Sequence, residues 1–218
     1  MIPWLTAQQS FPPVELALRE PNGLLAAGAD LSSQRLLQAY RRGIFPWFGP
    51  DQPILWWSPD PRMVLFPEEL HVSRSLHKRM RRQDYSVSCD TAFTAVVEAC
   101  AMTPRPGQDG TWITPQMMEA YCTLHAQGYG RSAEVHMDGR LVGGIYGIAI
   151  GKVFFAESMF HHVTDASKIA LVHLVRHLQQ QGCELVDCQM KTAHLTSLGA
   201  REIRRSEFLR QLGRLIEQ

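Results

Sequence analysis

The stretch Ser132-Ala-Glu-Val-His-Met-Asp-Gly-Arg-Leu-Val-Gly-Gly-Ile-Tyr-Gly-Ile-Ala-Ile-Gly-Lys-Val-Phe-Phe-Ala-Glu-Ser-Met-Phe160 decides the fold. It holds three largely apolar runs, separated by the two-residue turns Asp138-Gly139 and Gly151-Lys152. Turns of this kind join antiparallel strands. The stretch therefore predicts a three-stranded meander over residues 132–137, 141–150 and 153–160.

The residues that follow extend the meander into a larger sheet. Residues 166–181 carry apolar side chains at helical spacing and end at Gly182, which predicts an amphipathic helix. Residues 183–190 predict a fourth strand and residues 206–217 a last helix. Because the first of these helices joins two strands, we expect an α+β fold with a mixed sheet flanked by helices.

The first half of the chain has a different character, since all thirteen prolines lie at or before Pro115. Its first 60 residues predict short helices and turns, with one helix that carries Leu36, Leu37 and Tyr40. We place a boundary near residues 58–62, between a small N-terminal domain (1–60) and a larger domain (61–218). Further elements are expected as strands near residues 63–66 and 85–89 and as helices near 73–82, 91–101 and 115–127.

Composition excludes several classes of protein. The 218 residues are 45% hydrophobic, which is typical of a globular chain with a buried core. Five cysteines without a C-x-x-C pair predict reduced thiols. No run of eighteen apolar residues and no signal-peptide pattern occurs, so we expect a cytoplasmic protein without a membrane partner.

Positive charge is concentrated in one segment although the net charge is only +1. Residues 71–82 carry five basic side chains and no acid: Arg74, Lys78, Arg79, Arg81 and Arg82. Three of these, at i, i+4 and i+7, would form a stripe on one helix face. A solvated helix face is the ordinary interpretation of such a segment, and phosphate binding is the functional one.

Two polar groups interrupt apolar strands and are candidates for chemistry. In the fourth strand, alternation would put Asp187 and Gln189 side by side on one face, at the end where such sheets open a crevice. The alternative is a buried aspartate that backbone N–H groups satisfy. Glu157 lies within an otherwise apolar strand, either at an edge that reaches water or as a ligand-holding acid beside an apolar pocket.

Other motifs give no support to a metal or a nucleotide cofactor. Gly143-Gly144-Ile-Tyr-Gly147 lies inside a strand and is therefore not a dinucleotide fingerprint. His173 and His177 share a helix face but have neither an intervening glutamate nor an evident third ligand. We expect no metal site and no cofactor.

Nine segments, none of them decisive alone, together resemble a known family. They are Arg19-Glu-Pro-Asn-Gly23, Tyr40-Arg-Arg-Gly-Ile-Phe-Pro-Trp-Phe48, Leu55-Trp-Trp-Ser-Pro-Asp-Pro-Arg62, Gly110-Thr-Trp-Ile-Thr114, Gly143-Gly-Ile-Tyr-Gly147, Glu157-Ser-Met-Phe160, Ala166-Ser-Lys168, Asp187-Cys-Gln189 and Ser197-Leu-Gly-Ala200. In this order, over roughly residues 19–205, the chain resembles the bacterial leucyl/phenylalanyl-tRNA–protein transferases.

The resemblance implies an activity, partners and a fold. Such an enzyme moves Leu or Phe, and less well Met, from aminoacyl-tRNA to the N-terminal Arg or Lys of a protein, which marks that protein for N-end-rule degradation. The aminoacyl-tRNA is a co-substrate, and no cofactor is implied. The implied fold is an acyl-CoA N-acyltransferase-like core with a small N-terminal domain, and we expect a monomer.

The resemblance also implies the site residues. The reactive pair falls on Asp187 and Gln189, and we assign the tRNA body to the basic segment. The aminoacyl pocket falls on Trp47, Trp112, Ile145, Phe154, Glu157, Met159, Leu171, Leu174 and Val186. Ile145 stands where a methionine is expected and Leu174 where an aromatic is expected, so the preference between Leu and Phe stays open.

Two alternative functions are compatible with parts of the pattern. An acetyl-CoA-dependent N-acetyltransferase would share the order of the core elements, but residues 161–168, where a glycine-rich pyrophosphate turn would be expected, contain no glycine. A non-catalytic RNA-binding module would explain the basic segment but leave Glu157, Asp187 and Gln189 without a role.

Overall fold

The chain forms two β-sheets, described here from a computed structural model for residues 2–82, 84–104 and 111–216. The first sheet has the strand order β1-β2-β4-β3. Its strands are β1 (Trp4–Leu5), β2 (Leu24–Gly28), β3 (Phe45–Pro46) and β4 (Leu55–Trp57). Helix α1 (Ser33–Arg41) lies between β2 and β3, and the Ser32 side chain caps it by accepting from the Arg35 N–H.

The first sheet corrects the expectation that residues 1–60 contain only short helices and turns. Its strands are two to five residues long and are bordered by Pro and Gly, so none is long enough to show a period-2 pattern. The predicted helix around Leu36 and Tyr40 is confirmed as α1, and both side chains are fully buried.

The second sheet has seven strands in the order β11-β5-β10-β9-β8-β7-β6. They are β5 (Arg62–Leu65), β6 (Ser86–Cys89), β7 (Gly130–Met137), β8 (Arg140–Ile150), β9 (Val153–His161), β10 (Leu185–Gln189) and β11 (Arg201–Ile203). The pairing of β9 with β10 is parallel and the other pairings are antiparallel. The predicted mixed sheet is therefore confirmed, with the meander as β7 to β9.

Helices cover both faces of this sheet. They are α2 (Arg74–Met80), α3 (Phe93–Met102), α4 (Pro115–Ala126), α5 (Ala166–Gln180), α6 (Ala193–Thr196) and α7 (Arg205–Ile216). One face packs on the crossover helix α5, against which α2 lies, and the other packs on α3, α4 and α7. The sequence predicts five of these helices, whereas α6 and strand β11 are too short for a pattern. The last predicted position of α7, Glu217, lies outside the described residues.

A continuous apolar core joins the two sheets. Leu36 and Trp56 from the first region belong to the same buried cluster as Phe155 and Phe208 from the second. The predicted boundary falls between β4 and β5, but the division into two domains stays a prediction. Within the described residues, no helix is long and apolar enough to cross a bilayer.

Candidate active site

A pocket of about 580 Å³ opens where the two sheets meet. Phe45, Pro46 and Trp47 form one wall, and β8, β9 and the end of β10 form another. The chain that leaves β10, including α6, contributes a third wall through Thr192, His194 and Leu195. Since the lining is mostly apolar with a few polar groups, the pocket has the character of a small-molecule site.

Glu157 reaches the pocket because β9 carries a bulge. In the β8–β9 ladder Tyr146 pairs with Ser158 and Gly147 pairs with Ala156, which leaves Glu157 as the extra residue. A bulge redirects one side chain out of the regular alternation. A glutamate within an apolar strand is thereby brought into the wall of the pocket.

Two buried tyrosines hold the Glu157 carboxylate. Tyr40 of α1 donates to its Oε1 at 2.8 Å, and Tyr121 of α4 donates to its Oε2 at 2.5 Å. Burial raises the pKa of Glu157 from its usual 4.5 to about 7, although both tyrosine hydrogen bonds act to lower this pKa. Burial and the nearby Glu157 charge also raise the pKa of both tyrosines well above 10, so they remain donors at neutral pH. Because β9 lies between β8 and β10, Glu157 is not at a sheet edge, and it is partly exposed at the pocket.

Gln189 reaches the pocket through a second bulge, in the neighbouring strand. Against β5, Asp187 pairs with Val64 and Gln189 pairs with Met63, so that Cys188 is the extra residue. Gln189 has a φ of 56°, in the left-handed region that non-glycine residues rarely adopt. In the parallel β9–β10 pairing, Asp187 lies opposite Phe155. Glu157 comes two residues after Phe155 and Gln189 two residues after Asp187, so these two residues occupy neighbouring positions at the pocket.

Asp187 lies beneath the pocket and is fully buried, so it does not share a pocket-lining face with Gln189, contrary to strict alternation. Arg62 of β5 donates from Nε to Oδ1 at 2.8 Å and from Nη2 to Oδ2 at 2.7 Å. The Arg62 guanidinium also lies against the rings of Phe45 and Phe208. Asp187 Oδ1 further accepts the backbone N–H of Gln189 at 3.0 Å, which ties the left-handed residue to the buried ion pair.

The structure divides the predicted pocket residues into two groups. Six predicted site residues line the pocket: Trp47, Trp112, Ile145, Glu157, Met159 and Gln189. Four predicted residues are fully buried behind it, in the apolar cluster that includes Ile145: Phe154, Leu171, Leu174 and Val186. None of these four is among the residues that line the pocket, so their contact with the aminoacyl group stays a prediction.

Sequence reasoning missed the residues that hold the site together. Arg62 begins an apolar strand, and a charged side chain in such a strand could have indicated the buried ion pair that it forms. Tyr40 and Tyr121 stand on the apolar faces of two helices and gave no signal beyond burial. The lining residues not foreseen are Phe45, Pro46, Ala156, Ser158, His161, Ser167, Cys188, Met190, Thr192, His194 and Leu195.

The basic segment forms α2 and the turn that follows it. Arg74, Lys78, Arg81 and Arg82 are exposed. Arg79, which is not one of the three stripe residues, instead pairs with Asp84 at 2.6 Å. Just before α2, the His71 N–H donates to the carbonyl of Leu198, which follows α6. The start of the basic segment therefore lies next to the chain that leaves α6.

Comparison with known proteins gives a consistent result. Residues 64–213 match the family model described as leucyl/phenylalanyl-tRNA protein transferase, and residues 29–60 match the model of its N-terminal domain. Relatives with the name leucyl/phenylalanyl-tRNA–protein transferase include one from Nitrosomonas eutropha, 61% identical over all of this chain and 93% of its own, and one from Chromobacterium violaceum, 61% identical over 97% of this chain and 91% of its own. A solved GCN5-related N-acetyltransferase from Kribbella flavida is 14% identical, with a TM-score of 0.35 over 76% of this chain and 59% of its own. The chain belongs to the leucyl/phenylalanyl-tRNA–protein transferase family.

Proposed function

We propose that this aminoacyltransferase moves Leu or Phe, and less well Met, from aminoacyl-tRNA to the N-terminal Arg or Lys of acceptor proteins. The observation that carries the proposal is an apolar pocket with Glu157 and Gln189 at neighbouring positions in its wall. Modified proteins would be marked for N-end-rule degradation, in the cytoplasm, by a monomeric enzyme. The chemistry requires no cofactor and no metal.

The reaction makes modest chemical demands. The α-amine of the acceptor attacks the ester carbonyl, the new amide bond forms, and the ester bond to the tRNA breaks. One proton leaves the amine and one reaches the ribose oxygen, so the balance needs no further reactant. With a pKa near 8, about a tenth of such amines are neutral at pH 7. Catalysis therefore consists mainly of holding amine and ester within about 3–3.5 Å.

The site residues have distinct roles in this proposal. Gln189 hydrogen-bonds the incoming amine from the pocket wall. Asp187 acts through Gln189, because its carboxylate is buried and already accepts from Arg62 and from the Gln189 N–H. Glu157 orients a cationic amino group, since its ionised form offers a negative charge in a mostly apolar pocket. Asp187 is thus a positioning residue, whereas Gln189 and Glu157 touch substrate.

Selectivity follows from the walls of the pocket. Apolar side chains such as Ile145 and Met159 distinguish aminoacyl groups of similar size by only a few kcal/mol, which favours overlap among Leu, Phe and Met. Polar or charged aminoacyl groups would leave unpaired polar atoms there and be rejected more strongly. The exposed arginines and lysine of the basic segment would hold tRNA phosphates and leave the bases unread.

Transfer of radiolabelled Leu from Leu-tRNA to three peptides that differ only in their first residue tests the proposal. We expect labelled product with Arg or Lys first and none with Ala first. Gln189→Ala should abolish transfer while leaving the thermal unfolding midpoint nearly unchanged, because the side chain lies at the pocket wall. Labelling of the Ala peptide at the same rate would contradict the acceptor specificity, and acetylation of a peptide from acetyl-CoA would support the alternative donor.

A further inference from the structure

A second cavity of about 510 Å³ adjoins the pocket. The two share Trp47 and Trp112 as lining residues. Away from these tryptophans its walls come from the first sheet and its loops, including Leu24, Trp57 and Pro50. We call it the side cavity.

The lining of the side cavity is unusually aromatic. Three of the five tryptophans of the chain, Trp47, Trp57 and Trp112, border it, and each is partly exposed. Among the described residues that line it, no side chain carries a charge. A concave, partly exposed surface of tryptophan and proline is typical of sites that bind another chain.

We propose that the side cavity binds the residues that follow the first residue of the acceptor polypeptide, an inference that rests on the proposed function. The acceptor amine must reach the ester inside the pocket, so the rest of that polypeptide leaves through a space continuous with the pocket. The side cavity is adjacent to the pocket at the two shared tryptophans. Aromatic and proline walls without charge suit an extended peptide.

The charge distribution favours a peptide over RNA in this cavity. Each nucleotide carries a phosphate, and sites that follow a nucleic-acid backbone are basic. None of the exposed basic side chains of α2 is among the described residues that line the side cavity, and the segment begins at His71, whose N–H donates to the Leu198 carbonyl just after α6. The two co-substrates would therefore enter along different walls. An extended peptide advances about 3.3 Å per residue, so three residues would span about 10 Å.

Charge substitutions at Gln52 test this assignment. Gln52 is exposed and lines the side cavity, where its Oε1 accepts the Gly49 N–H at 2.8 Å. Gln52→Glu keeps this acceptor and adds a negative charge, and Gln52→Lys adds a positive one. KM is measured for two tetrapeptides that begin with Arg-Ala and end in either two lysines or two glutamates, at saturating Leu-tRNA. Gln180→Glu and Gln180→Lys, at the exposed end of α5, are the matched controls of net charge.

We expect Gln52→Glu to lower KM for the lysine peptide and raise it for the glutamate peptide by about two- to fivefold, as for exposed ion pairs. Gln52→Lys should do the reverse, and KM for Leu-tRNA should stay within the range of the Gln180 controls. Equal KM values for both peptides in every variant would overturn the inference. So would a lower KM for Leu-tRNA in Gln52→Lys alone, since that places RNA in the side cavity. The proposed function fails separately if the wild type transfers Leu to neither peptide.

Discussion

At the scale of single residues, the site depends on two carboxylates in opposite environments. Asp187 is fully buried and is paired with a bidentate arginine, whereas Glu157 accepts from two tyrosine hydroxyls and has a pKa raised to about 7. The first therefore holds the backbone of Gln189 from within a buried ion pair. The second changes its charge near neutral pH, which couples its role as an amine ligand to protonation.

Glu157 should make the stability of the protein depend on pH in a defined direction. Between pH 4.5 and 7 the unfolded chain releases the Glu157 proton while the folded chain retains it, so the folded state loses stability as pH rises through this window. Relative to Glu157→Gln, the wild type should lose about 1–3 kcal/mol of unfolding free energy from pH 4.5 to 7.5. Urea unfolding of both proteins at several pH values measures the two free energies. A wild-type free energy of unfolding that stays constant or rises with pH, relative to that of Glu157→Gln, would contradict the prediction.

If Asp187 acts by positioning, transfer should be slowed less by loss of its charge than by loss of the oxygen that accepts the Gln189 N–H. Asp187→Asn retains an oxygen that can accept the Gln189 N–H, whereas Asp187→Ala does not. A missing general base would slow transfer by about 10²- to 10⁴-fold in both variants. We instead expect the single-turnover rate of Asp187→Asn to exceed that of Asp187→Ala by at least about tenfold, with the pH profile of the wild type.

The same variants need a control for folding, because Arg62 would lose its buried counterion. Breaking one side of a buried ion pair costs about 3–5 kcal/mol, so Asp187→Asn should lower the unfolding midpoint. Adding Arg62→Met should restore part of that stability, because no charge then remains buried alone. Rates are compared at temperatures where circular dichroism shows each variant to be folded. Equal slow rates for Asp187→Asn and Asp187→Ala under those conditions would support the base role.

At the scale of elements, the sequence predicts long regular segments well and short or irregular ones poorly. The meander and helix α5 are confirmed to within two residues because each spans several periods of its pattern. The bulges at Glu157 and Cys188 were not predicted, since they depend on pairing register with other strands. For β10 that partner is β5, more than one hundred residues away, so alternation alone could not predict the direction of Gln189, which follows the bulge.

Helix α2 and the following turn should contribute most of the salt dependence of tRNA binding. Replacement of Arg74, Lys78 and Arg81 by glutamine, singly, should weaken binding at low salt and lower the slope of log affinity against log salt by about 1 each. Arg79→Gln should change the slope less, because its guanidinium already pairs with Asp84. Filter binding of tRNA from 50 to 300 mM salt, a range chosen to resolve the slope, measures these changes. If all the variants keep the wild-type slope, the assignment of tRNA binding to this segment is wrong.

At the scale of the whole molecule, the pocket belongs to neither sheet alone. Its walls combine Phe45 and Trp47 of the first region with β8, β9 and α6 of the second. Two hydrogen bonds also join the regions. Tyr40 of the first region donates to the Glu157 carboxylate, and the Gly43 carbonyl of the first region accepts from Arg62 Nη1 at 3.1 Å. A pattern along the sequence could not predict this junction, because it joins segments that are distant in the chain.

This junction predicts cooperative unfolding of the whole chain. Leu36 in α1 and Phe208 in α7 belong to one buried cluster, so opening either region exposes apolar surface of the other. All five tryptophans lie at or before residue 112, whereas most helical residues lie beyond residue 92. Tryptophan fluorescence and circular dichroism at 222 nm therefore report mainly on different regions, and we expect their urea transitions to coincide. Leu36→Ala, which truncates a fully buried side chain, should shift both transitions together by about 2–5 kcal/mol. A fluorescence transition that moves while the dichroism transition stays would instead show a first region that folds as a domain of its own.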